Sequence, residues 1–303
     1  MKKKTNLTIV IVTFLTNKEI LLNCLKSIDK RYKIIIVENS NKFKNKNFFL
    51  KKFNNIEIVC TGLNLGYGKG NNFGLKKVHT EYALILNPDI VCKNGFFNKI
   101  TKVINKKKSF SIIGCQYSNE TAYLPAGFFN KKKHLIFEKN FLKKNKKELT
   151  KVDWVTGCSM LINLKKFKNK DIFDKNYFLY FEEFDLCKSI IDKNGSIYSS
   201  SDLKVYHLGF KGSLGANSSL KSESSRLRDW HWMWSYFYFY KKNYNYFYAL
   251  FKVSGKFFKS FFKAIFYTLS FNKLNRDKYL FRFLGLLFSI AGIEANYRGR
   301  RFS

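Results

Sequence analysis

The sequence predicts an α/β protein built on a mostly parallel central sheet with helices on both faces. Three observations carry that expectation. Short β-branched apolar runs recur through the first half of the chain, at Leu7 to Thr13, Ile34 to Val37, Ile56 to Cys60 and Tyr82 to Leu86. Segments with helical spacing of apolar residues alternate with them. The candidate motifs fall at the ends of these strands, where an open parallel sheet gathers its ligands.

In order, the first run, LTIVIVT, is apolar throughout, as expected of a strand buried on both faces. Asn17 to Ile28 has apolar residues at 20, 21, 25 and 28, a helical spacing. Helical patterns follow around Gly70 to Lys77 and Lys93 to Lys106, and Phe110 to Cys115 adds a strand. Tyr117 to Lys151 is polar and Lys-rich, a loop or β-hairpin insertion. Val152 to Asn163 returns to strand character, interrupted at Gly157. Asp185 to Lys193 reads as a helix capped by Asn194-Gly195. Ile197-Tyr198 and Lys204 to His207 are short strands, and the Gly- and Ser-rich Gly209 to Ser225 is a mobile loop.

After Arg226 the character changes, with 15 Lys and Arg against 3 Asp and Glu. Within Lys252 to Leu269, Phe258, Phe261, Phe262, Ile265 and Leu269 follow a 3.6-residue period, and Lys252, Lys256, Lys259 and Lys263 form a stripe opposite. A basic face opposite an aromatic one lets a helix lie in a membrane interface; packing on the preceding domain is the other reading.

Composition excludes little but discounts one inference. A chain of 303 residues at 46% hydrophobic can bury a large core. Its 56 Lys and Arg against 21 Asp and Glu give a formal charge of +35, the kind of surface that nucleic acid or anionic membrane attracts. The excess is mostly Lys, in a chain also rich in Asn, Ile, Phe and Tyr, which a genome biased toward A and T produces without a partner. A basic nucleic-acid-binding protein is the alternative function. It would interleave basic residues with exposed aromatics on one surface, and no recognition motif is present, so no nucleic acid is expected. Six cysteines (24, 60, 92, 115, 158 and 187) stand far apart without a C-x-x-C pair and read as reduced core residues of a cytosolic protein. The N-terminus lacks a signal-peptide pattern. Phe283 to Ile293, held between Arg282 and Glu294, falls short of the roughly 20 residues a membrane span needs.

The strand-end motifs are more specific. Thr13-Phe14 follows the first strand and Glu38-Asn39-Ser40 the second; the third leads into TGLNLGYGKGNNFGL and the fourth ends in Asn87-Pro88-Asp89. The Gly-rich stretch lacks the G-x-x-x-x-G-K-[ST] of a P-loop, and it follows the third strand instead of the first, unlike a dinucleotide fingerprint. Asp89 at a strand end can hold a hard cation with help from substrate phosphates.

The motifs IVIVTF, IIIVENS, NLGYGKGNNFGL, LILNPDI, VDWVTGCSMLI, YFLYFEEFDLC and VYHLGFKGS, in this order, resemble family 2 glycosyltransferases of the GT-A fold, most closely bacterial rhamnosyltransferase-like members. The resemblance covers about Leu7 to Phe210. It implies a catalytic domain, placed over 1–225, and the change of character at Arg226 sets a basic amphipathic helical region over 226–303 apart from it. It implies that Thr13, Glu38 and Asn39 contact the nucleotide, that Asn64, Gly66 and Asn72 shape the same pocket, and that Asp89 and His207 hold Mg²⁺ or Mn²⁺ against the donor diphosphate. Trp154 and Gly157 would lie beside the acceptor. Glu183 stands at the position of the general base, flanked by Glu182 and Asp185, with Asp185 as a second candidate. Glu38 and Glu183 each replace the usual Asp, adding a methylene. The implied partners are a nucleoside-diphosphate sugar and a glycan or lipid-linked glycan; membrane contact through the C-terminal helices is expected from their basic amphipathic pattern. The implied location is cytoplasmic, peripheral at the inner face of the cytoplasmic membrane. A sugar-nucleotide synthesising transferase would open with a Gly-rich loop after the first strand, where this chain has VTFLTNKE.

Overall fold

The structure, a computed structural model, describes residues 6–107, 109–117, 124–142, 148–208 and 218–298. Four strands form the parallel part of the sheet: β1 (Leu7–Thr13), β2 (Lys33–Glu38), β3 (Ile56–Cys60) and β4 (Tyr82–Leu86). β1 pairs in parallel with β2 on one side and β4 on the other, and β2 pairs with β3. Three helices link them: α1 (Lys18–Lys26), α2 (Lys46–Lys52) and α3 (Tyr67–Lys76). Asn17 caps α1 by accepting from the Glu19 and Ile20 backbone N–H groups. The chain builds outward from β1 to β3, then α3 carries it back across the sheet to β4. The strand order reverses beside β1, which is where ligand crevices open in such sheets.

Beyond β4 the sheet becomes mixed. β5 (Ile90–Cys92), α4 (Phe96–Lys106), β6 (Ile112–Tyr117), β7 (Ala126–Gly127), α5 (Lys131–Leu142), β8 (Leu149–Val152), β9 (Trp154–Val155) and β10 (Ser159–Asn163) precede α6 (Glu182–Asp192) and β11 (Ile197–His207). The nine-stranded order is β3-β2-β1-β4-β10-β6-β11-β5, with β8 on β11, while β7 and β9 pair separately. β10 runs antiparallel to both β4 and β6. One face of the sheet packs on α1, α2 and α4 through Leu21, Leu25, Phe49, Phe96 and Ile100. The other packs on α3 and α6 through Leu75, Val78, Leu186 and Ile190.

Three helices follow: α7 (Ser218–Asn243), α8 (Tyr246–Leu269) and α9 (Lys273–Ile290). α7 docks on the sheet domain, with Trp230 and Trp234 packed beside Phe178 and Ser235 Oγ donating to Leu179 O at 2.9 Å. α9 crosses α7 closely at Gly285, where a Cβ would stand 2.2 Å from the Trp230 carbonyl oxygen.

The structure departs from the sequence reading in several places. The Tyr117–Lys151 insertion contains α5, which docks Phe137 on Phe128 with rings 5.7 Å apart. The two short strands at Ile197 and Lys204 are one strand, β11, whose polar Ser199 to Asp202 run reads as a turn and coincides with a register shift between Ser200 and Lys204. The loop expected over Gly209–Ser225 is helical from Ser218, and 209–217 lie outside the described residues. α2 and β5 went unrecognised because a short element shows too little periodicity. All six cysteines are unbridged; five are buried and Cys60 is exposed.

Candidate active site

At the carboxyl ends of β1 and β2, Thr13 Oγ1 donates to Glu38 Oε2 at 2.6 Å, and Ser40 Oγ donates to Oε1 at 2.8 Å. Burial raises the Glu38 pKa, and these two hydroxyls and the Leu15 backbone N–H partly oppose it. Asn39 Nδ2 donates to Gly66 O at 2.9 Å, and Asn64 Oδ1 accepts from the Gly66 N–H at 3.0 Å. Gly66 has φ +82°, and a Cβ there would stand 2.1 Å from the Phe178 carbonyl oxygen. Only glycine fits, because both the backbone angle and the contact exclude a side chain. Thr13, Glu38, Asn39, Asn64 and Gly66 are therefore one connected cluster. Asn72 stands apart: its amide exchanges both hydrogen bonds with the Phe173 backbone, at 2.8 and 3.0 Å. It ties α3 to the segment entering α6.

β5 pairs antiparallel with β11 so that Ile90 faces His207. This register brings His207 Nε2 within 3.5 Å of Asp89 Oδ2, although the two lie far apart in sequence. The His207 ring stacks on Tyr117, with centroids 5.5 Å apart. A carboxylate oxygen and an imidazole nitrogen converging at strand ends fit Mg²⁺ or Mn²⁺ as two ligands. No group of three or more His, Cys, Asp or Glu able to hold a metal occurs among the described residues. The other coordination positions would fall to diphosphate oxygens and water, the usual arrangement for such ions.

The acid cluster opens α6. Tyr180 and Phe181 precede it with φ of 71° and 67°, a left-handed conformation strained for aromatic residues. Phe181 is held there by Trp232, Tyr236 and Phe239 of α7, with ring centroids 5.3 to 5.7 Å away. The three acids then diverge. Glu182 is buried, and burial followed by the neighbouring Glu183 charge pushes its pKa well up. Asp185 is also buried; it accepts from Lys242 Nζ at 2.6 Å and Asn243 Nδ2 at 2.8 Å, both on α7. Its oxygens hold α6 on α7 through these two bonds. Glu183 alone of the three keeps surface open to solvent. Protein packed round its carboxyl raises the pKa to about 7, while its own N–H and that of Gly157 donate to it and oppose the rise.

Gly157 thus touches the acid directly, and its carbonyl accepts from the Tyr67 hydroxyl. Trp154 is half-buried between His134 and Phe184, with centroids 5.6 and 5.0 Å away. Tyr117 OH lies 2.8 Å from Thr156 Oγ1 and 3.0 Å from Cys158 Sγ. Burial pushes the Cys158 thiol up to about 11, and the Asp89 and Glu183 charges both add to that rise. The Thr156–Cys158 turn therefore lies within electrostatic reach of both ends of the site. Tyr67, Tyr117, Thr156 and Cys158 escaped the sequence reading. The signal available was an aromatic inside the Gly-rich motif and another at a strand terminus.

A parallel half-sheet with polar strand ends, an Asp–His pair and a half-buried glutamate of raised pKa is the architecture of the GT-A class. Residues 8–169 match the model of glycosyl transferase family 2, and the chain belongs to that family. It is 30% identical over 185 residues to rhamnosyltransferase WbbL of Escherichia coli (strain K12), covering 55% of this chain and 69% of that protein. It is 24% identical over 190 residues to low-salt glycan biosynthesis hexosyltransferase Agl10 of Haloferax volcanii, covering 60% of each. Among solved structures, mannosyltransferase PcManGT from Pyrobaculum calidifontis, in complex with GDP-Man and Mn²⁺, shares the fold with a TM-score of 0.53 at 9% identity, over 95% of this chain and 88% of that one.

Proposed function

We propose that this chain is an inverting glycosyltransferase. It moves a sugar, rhamnose or another hexose, from a nucleoside diphosphate to a glycan or lipid-linked glycan in cell-surface polysaccharide synthesis. The observation that carries the reading is the divergence of the three acids: only Glu183 is half-buried instead of buried, with a pKa raised to about 7. The likeness to rhamnosyltransferase WbbL and hexosyltransferase Agl10 supports the sugar class.

The acceptor hydroxyl gives its proton to Glu183 as its oxygen bonds to the anomeric carbon. The bond from that carbon to the diphosphate breaks on the opposite face, inverting the centre, and the nucleoside diphosphate leaves with the electron pair. Thr13, Glu38 and Asn39 line the nucleotide end. Asp89 and His207 would hold Mg²⁺ or Mn²⁺, which when bound neutralises charge on the leaving diphosphate. Gly157 and Tyr67 hold Glu183 in place.

Calorimetry with dTDP-rhamnose, UDP-hexoses and GDP-mannose, with and without Mn²⁺, tests the donor reading. The expected outcome is metal-dependent binding of one donor, lost in Asp89→Ala. Binding that is unchanged by Asp89→Ala would sink the metal assignment. Glu183→Gln should then bind donor normally and lose turnover by about 10²–10⁴-fold.

A further inference from the structure

The aromatic face expected on α8 is not buried against the rest of the protein. At about 100° per residue, Phe247, Phe251, Phe258, Phe262, Ile265 and Leu269 share one side of the helix. Phe247 is 80% exposed, Phe251 77%, Phe262 62% and Leu269 74%. The stripe runs roughly 33 Å at ~1.5 Å per residue, and Phe271 in the following turn is 93% exposed as well. α8 packs on the protein through a different side, Ala249, Val253, Ser260 and Ala264. The apolar surface is therefore additional to the one that holds the helix.

Lys252, Lys256, Lys259 and Lys263 run along the flank of this stripe, about 120° round the helix from its centre. Lys256 lies over the Tyr236 ring at 5.3 Å and Lys263 over the Tyr279 ring at 5.0 Å. α8 contains no Asp or Glu. Among the described residues no helix is long and apolar enough to cross a membrane.

We infer that α8 lies in the interface of an anionic lipid surface, with its phenylalanines among the acyl chains and its lysines on the headgroup phosphates. Charge selects this occupant. A second copy docked on the same face would bring two uncompensated lysine rows together in a chain of formal charge +35, whereas anionic headgroups neutralise them. The phenylalanines carry no hydrogen-bonding group, and acyl chains accept them without a complementary shape. The inference is independent of the sugar donor and of the transfer reaction.

The test is co-sedimentation of the full chain with phosphatidylcholine vesicles, with and without about one third phosphatidylglycerol. The wild type should bind the anionic vesicles at least about tenfold more tightly than the neutral ones. Phe251→Ser/Phe258→Ser/Phe262→Ser should lose at least about tenfold on both, with unchanged circular dichroism because these side chains are exposed and the ring contacts of Phe258 and Phe262 are to Phe257 and Phe261 of the same helix. Lys252→Gln/Lys256→Gln/Lys259→Gln should lose the preference for anionic lipid. Absence of sedimentation with anionic vesicles overturns the inference. So does a triple serine variant that binds like wild type, which would reduce the effect to surface charge. A wild-type dimer in solution that the serine variant abolishes would assign the face to a second copy instead.

Discussion

At the residue scale, three neighbouring acids receive three different environments from one turn of helix. The base proposed here predicts a pH dependence. Glu183 must be ionised to accept a proton, so turnover should rise through an acid limb near pH 7, the value burial sets for it. Glu183→Gln should flatten that limb. The same raised pKa makes ionisation oppose folding: the stabilisation is complete below the unfolded carboxylate range near 4.5 and is lost as pH rises through about 7. A melting temperature that climbs with pH between those values, in wild type relative to Glu183→Gln, would contradict it. Asp185→Asn is expected to behave differently. Losing the charge opposite Lys242 should cost about 1–3 kcal/mol, read by urea unfolding, and leave the acid limb in place. Thr13 and Ser40 hold one oxygen each of the Glu38 carboxylate.

At the element scale, the site depends on approaches that only particular backbones permit. Gly66→Ala would push a methyl into the Phe178 carbonyl and strain a positive φ. We expect about 2–4 kcal/mol of lost stability by urea unfolding, together with weaker donor binding. α7 acts on the acid motif as a brace. Trp232 packs on Tyr180 at 5.1 Å and on Phe181 at 5.3 Å, the two strained residues before Glu182. Trp232→Ala should therefore lower kcat by roughly tenfold, on the scale expected for misplacing a catalytic group. An unchanged kcat would show that the strained turn holds itself. The family match ends at residue 169, so neither α6 nor its brace falls within the matched segment.

At the scale of the whole molecule, the reversal of strand order beside β1 puts Thr13, Glu38, Asn39 and Asp89 at or just beyond the carboxyl ends of the neighbouring strands β1, β2 and β4. The helices after 217 pack on one another and, through α7, on the segment before α6. A chain ended at residue 225 stops inside α7 and strips Trp230, Trp232 and Trp234 from Phe178 and Phe181. We expect such a chain to melt at least about 10 °C lower than the full chain, or to be insoluble, since each kcal/mol lost lowers the midpoint by roughly 2–4 °C in a domain of this size. The sequence by itself determined the parallel strands, because continuous β-branched runs are stable only where both faces are covered. It also determined the strand-end order of Thr13, Glu38, the Gly-rich motif and Asp89, which follows from local chain order. The tertiary structure decided what depends on contacts between distant segments. It set His207 beside Asp89 through the β5–β11 register, spent Asn72 on the Phe173 backbone and committed Asp185 to Lys242. It left Glu183 half-buried, and it left the α8 phenylalanines facing outward. Periodicity shows that a helix has an apolar side; what covers that side depends on the neighbours the fold supplies.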